Sequence, residues 1–150
     1  MKLAEALSLR ADLQKRIAQL RERLKNSSKI QEGDEPAENP KDLFTELNDN
    51  LVELENLIYR INVTNMHAVH NGETLTKMIA QKDALTLRTT TLRDVLNSVF
   101  EREDRYGRQE IKYVRTVDVA ELRKEVDSYS RQLRVLDLKI QSLNWAIELA

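Results

Sequence analysis

The chain of 150 residues suits one helical-bundle domain, large enough to bury roughly 70% of its unfolded surface. A third of the residues are charged, aromatics are 5%, and there are three Gly and two Pro, the composition of long amphipathic helices rather than of a sheet protein. No cysteine is present, so disulfides and thiolate metal sites are excluded, as suits a cytoplasmic protein. Net charge is −1 but uneven: residues 1–25 carry +4 and residues 26–58 carry −7. That asymmetry predicts a basic first helix beside an acidic second one, and it lacks the positive excess of a nucleic-acid face. The opening Met1–Leu7 meets a charge every few residues, so no signal-peptide core is expected. No apolar run approaches the roughly 20 residues of a bilayer span, and a membrane partner is not expected.

The first helix is predicted over about 2–25, with Ala6, Arg10, Leu13, Ile17, Leu20 and Leu24 on its seam. Arg10 either packs its stem while its guanidinium reaches solvent, or forms a buried ion pair that fixes register. Residues 26–40 hold Asn, Ser, Gly and two Pro and end that helix, with a short strand expected near 28–32. Asn39 and Pro40 then suit the cap and first turn of a second helix. Its seam reads Leu43, Leu47, Asn50, Leu54, Leu57, Ile61 and Thr64, with Leu51 and Ile58 alongside. A turn is expected at Asn71-Gly72, followed by a third helix over 74–104. Tyr106–Arg108 reads as a turn, and 110–117 is β-branched and aromatic enough to predict a strand, for which 28–32 is a possible mate.

The last helix is the plainest. Asp118 and Glu121 form a capping-box pattern, and from Val119 the apolar positions run Leu122, Val126, Tyr129, Leu133, Leu136, Ile140, Leu143 and Ile147 in steps of three and four. This seam is about 42 Å long at 1.5 Å per residue. Its burial contributes on the order of 15–25 kcal/mol before chain entropy is subtracted. No lone helix keeps such a stripe in water. Trp145, near its end, is expected to anchor an interface.

Chemistry-bearing residues are sparse. His67 and His70 would share a helical face at a spacing of three, compatible with two metal ligands and Glu73 or Asp83 as a third. The simpler reading is a pair of solvated or capping histidines near a helix end. Arg60, Asn62 and Asn65, with Lys82 and Asp83 across the turn, would line a polar ligand or partner pocket, or else a satisfied network that fixes helix register. There is no glycine-rich phosphate loop and no nucleophile triad, and no cofactor is expected.

Several stretches together resemble a known family: Met1–Leu7 with Arg10–Gln14, Gln31–Asp34, Arg60–Asn62 with Thr64-Asn65, Gly72 with Thr74–Thr76, Arg105-Tyr106, Glu110–Lys112 with Thr116–Val119, and Asn144-Trp145. This is similar to small bacterial, largely actinobacterial, helical proteins of unknown function, some labelled septicolysin. The resemblance implies a compact helical protein and supplies no catalytic residue; the label implies a pore-forming cytolysin. The fold expected is all-α, an antiparallel bundle of four long helices with a short two-stranded β element near 28–32 and 110–117. The role expected is non-enzymatic: a homo-oligomeric structural or interaction protein. The alternatives are a membrane-active cytolysin and a metal-dependent or small-ligand-binding protein using the polar 60–83 region.

Overall fold

A computed structural model describes residues 1–101 and 112–150. The class is all-α, with four helices and one small antiparallel sheet among the described residues: α1 Leu3–Ser27, α2 Pro40–His67, β1 Val69–His70, β2 Glu73–Thr74, α3 Leu75–Ser98 and α4 Val119–Ala146. Local signals set most of the boundaries. The Lys2 amide donates to Glu5 Oε2 at 2.6 Å at the start of α1. Asn39 Oδ1 accepts from the Lys41 amide at 3.0 Å and Pro40 opens α2. Asp118 Oδ1 accepts from the Glu121 amide at 3.1 Å and starts α4.

The chain divides into two compact units, Met1–Leu75 with Gln141–Ala150, and Thr76–Ile140. The first is built on an α1–α2 hairpin. Leu3, Ala6, Leu13, Leu20, Leu24, Leu43, Leu57 and Ile61 are buried in it. At its closed end Leu20, Leu24 and Leu43 cluster, with Leu47 packed against them. Asn50 is buried on the same α2 seam and satisfies its amide within its own helix, donating to the Glu46 carbonyl at 2.7 Å. Arg10 is half-buried and holds no ion pair among the described residues, so its stem packs while its head stays wet. The chain ends are zipped together: the Leu3 amide donates to the Ile147 carbonyl and the Leu149 amide to the Met1 carbonyl, each at 2.9 Å.

In the second unit the helices run antiparallel, and long polar side chains link them. Lys82 pairs with Asp137 at 2.5 Å, Arg93 Nη2 donates to Ser130 Oγ at 3.0 Å, and the Arg88 guanidinium lies 4.9 Å from the centre of the Tyr129 ring. Beyond α3, the Phe100 ring sits under Arg115 and Arg123, at 4.6 and 5.2 Å. Every position of the α4 seam is buried or half-buried, whereas Val135, Leu138 and Trp145 on its other sides are exposed.

The β element is not where residue preferences placed it. Segment 28–32 forms no strand; the Asp34 amide donates to the Gln31 carbonyl at 3.0 Å, closing a turn through Gly33 at φ +92°. Residues 112–117 form no strand either, while the expected start of that strand and the Tyr106–Arg108 turn lie outside the described residues. The sheet instead joins Val69 to Thr74 and His70 to Glu73 around Asn71 at φ 52° and Gly72 at φ +83°. Two adjacent positive φ angles make the two-residue turn whose twist matches a hairpin, which Asn-Gly supplies at least cost.

Candidate functional site

Lys82 reaches into the groove between α3 and α4. Thr86, Ser130, Leu133, Arg134 and Asp137 complete the lining of an open hollow of about 420 Å³. Lys82 and Asp137 neutralise each other there, both about one-third exposed. The Thr86 hydroxyl is turned back to the Lys82 carbonyl at 2.9 Å. Asp83, one residue on, is exposed to solvent.

The other three polar candidates belong to the first unit. Arg60 Nε donates to the Ala150 oxygen at 2.7 Å. Thr64 extends that contact: its hydroxyl donates to the Arg60 carbonyl at 2.8 Å and accepts from the Ala150 amide at 2.9 Å. Arg60 therefore secures the C-terminal segment against α2. Asn62 is exposed and Asn65 half-buried.

His67 and His70 do not share a helical face, because α2 stops at His67 and His70 lies on β1. His67 Nδ1 sits 2.8 Å from the Val63 carbonyl, one turn back in its own helix. A ring nitrogen that donates to a final-turn carbonyl caps the helix. His70 Nε2 is buried without a hydrogen-bond partner, as is Thr89 Oγ1 on α3. Among the described residues no cluster of three or more His, Asp or Glu is arranged to hold a metal.

Two ionic ties brace the first unit. Arg23 holds Glu38 from both Nε and Nη2, at 2.9 and 2.5 Å, joining α1 to the entry of α2. This donation holds the Glu38 carboxyl below its ordinary value and raises Arg23. Glu148 is also held low, chiefly by Lys2 and then by the Met1 amine, at 2.5 and 3.2 Å.

A second groove runs between α1 and α2 and is apolar. Ile17 and Leu24 form one wall, Leu47 and Leu51 the other, and Arg21 and Lys25 sit on its rim around about 440 Å³. Beside it Phe44, Leu51 and Ile58 are exposed, with Leu47 and Leu54 half-buried between them. Positions 44, 47, 51, 54 and 58 alternate steps of three and four. They widen the α2 seam on its solvent side, sharing Leu47 and Leu54 with the stripe that packs inward.

Residues 10–149 match DUF6847, a family of unknown function. The chain belongs to that family. It is also similar to a functionally unknown conserved protein from Corynebacterium diphtheriae, known from a crystal structure. The two are 42% identical, the match covers 100% of this chain and 99% of that one, and the TM-score is 0.93. No curated protein matches.

In this DUF6847 chain Asp137, Ser130 and Arg134, opposite Lys82, lie about fifty residues from it and carry no motif. Beside the α2 seam the sequence marks Leu51 and Ile58, and Phe44 joins them. The signal was there: 44, 51 and 58 are spaced by seven along one helix.

Proposed function

We propose that this chain is a non-enzymatic cytoplasmic assembly protein, a helical scaffold whose uncovered seams bury against further copies of itself. One observation carries the reading: Phe44, Leu51 and Ile58, spaced by seven along α2, leave an apolar stripe of the first unit exposed. Trp145, 64% exposed, adds a second apolar anchor. Native mass spectrometry of the intact chain tests this. A defined multiple of 17.5 kDa supports it, and a single copy throughout contradicts it.

The α3–α4 groove supports a second reading, a site for a small anionic ligand or an acidic partner. Arg134, beside the Lys82–Asp137 pair, would supply the free charge. Inorganic phosphate titrated against the protein tests it, with binding lost in Arg134→Ala. The cytolysin implied by the septicolysin label is a separate expectation. Among the described residues no helix is long and apolar enough to cross a membrane, and dye release from liposomes decides the point.

A further inference from the structure

The assembly reading leaves open which face is used and which way the copies meet. We infer that two copies join through the α1–α2 face in a two-fold pairing that lays α1 of each copy on α2 of the other. This rests on the self-assembly proposed above and adds the partner surface and its orientation.

Two observations converge on this face. The apolar groove between Ile17 and Leu51 opens to solvent, and the Phe44–Leu51–Ile58 stripe continues it along α2. A groove beside a ridge on one surface is self-complementary, as a two-fold interface requires.

Charge then selects the orientation. On the outward side of α1, Arg10 and Arg21 flank Ile17, and Lys25 beyond them pairs with Glu22 of its own helix. The outward side of α2 carries Glu55 beside Leu51 and Ile58 and no base between 44 and 58. Among the described residues, Arg10, Arg21 and Glu55 hold no ion pair. Two orientations bring the hairpins face to face. With the two-fold across the helices, α1 lies on α1 and α2 on α2, setting base against base. With the two-fold along the helices, each basic α1 meets an acidic α2, and groups at one level of the hairpin stay level in the dimer. Complementary potential favours the second arrangement, and like-charge contact disfavours the first. Because Ile17 and Leu51 line the same groove within one copy, the second arrangement brings Ile17 of each copy opposite Leu51 of the other.

The chain has no cysteine, so the pairing can be read covalently. Ile17→Cys and Leu51→Cys are prepared as separate proteins, checked for native helical circular dichroism, mixed and oxidised. The expected product is a mixed disulfide dimer exceeding both same-variant dimers. Same-variant dimers in excess overturn the orientation. No covalent dimer from any mixture, with the wild type still oligomeric, overturns the face and leaves self-assembly standing. A wild type that is monomeric by mass overturns both. Leu51→Glu gives an independent readout: the mass falls to one copy if this face is the interface and is unchanged if it is not.

Discussion

The two helical pairs of this chain are held by different physics. Between α1 and α2 the contact is apolar: Leu3, Ala6 and Leu13 have no exposed surface, and Leu20 and Ile61 have 1%. Between α3 and α4 the named links are an ion pair, an arginine-hydroxyl hydrogen bond and an arginine over a tyrosine ring. In α3 one threonine, Thr89, is buried, while Thr86, Thr90 and Thr91 are exposed and return their hydroxyls to carbonyls one turn back. The comparison teaches that one chain can keep a sharply specified hairpin beside one whose helices are bridged by half-exposed side chains.

Substitutions break or sharpen that contrast. Leu20→Ala, in the α1–α2 cluster, is expected to destabilise by about 2–5 kcal/mol in chemical denaturation. A loss under about 1 kcal/mol would mean that the cluster is less closely packed than its burial indicates. Gly72→Ala has room for its Cβ but holds a left-handed φ of +83°, so a loss of about 1–2 kcal/mol is expected. Lys82→Met removes the central ion pair of the second unit. Because both partners are about one-third exposed, the expected loss is only about 0–1 kcal/mol, read as a small shift in Tm. A loss as large as that of Leu20→Ala would erase the distinction between the two pairs.

The smallest effect is pH dependence. Glu148 and Glu38 are held below the ordinary carboxylate value of 4.5 in the folded chain. Such groups contribute stability that is fully present above the ordinary value and is lost as pH falls through their lowered folded values. Thermal melts between pH 7 and pH 3 are expected to show an acid-side decline that Glu148→Gln makes shallower. An unchanged decline would show that the tie between Lys2, Met1 and Glu148 adds nothing measurable.

What could be read in the sequence divides along the same line. Steps of three and four in α4 marked nine positions, and all are at least half-buried. Asn39-Pro40, Asp118 and Asn71-Gly72 act through their nearest neighbours, and each forms the cap or turn expected of it. The strand near 28–32 failed because β preference describes a surface to be paired and does not name a mate. His67 and His70 failed as a pair because α2 ends between them, and helical spacing applies only while the helix continues. The partner of Lys82 was out of reach since nothing local ties position 82 to position 137. The polar group Arg60, Asn62, Asn65, Lys82 and Asp83 was drawn as one pocket across a turn, but Arg60 secures the C-terminal segment and Lys82 pairs within the second unit.

The most direct test of self-assembly is the mass of the wild-type chain by light scattering through a hundredfold dilution, with elemental analysis of the same peak. One defined oligomer without stoichiometric metal is expected, dissociating only at the dilute end. A 17.5 kDa species at every concentration, above all one carrying a bound metal, would contradict it.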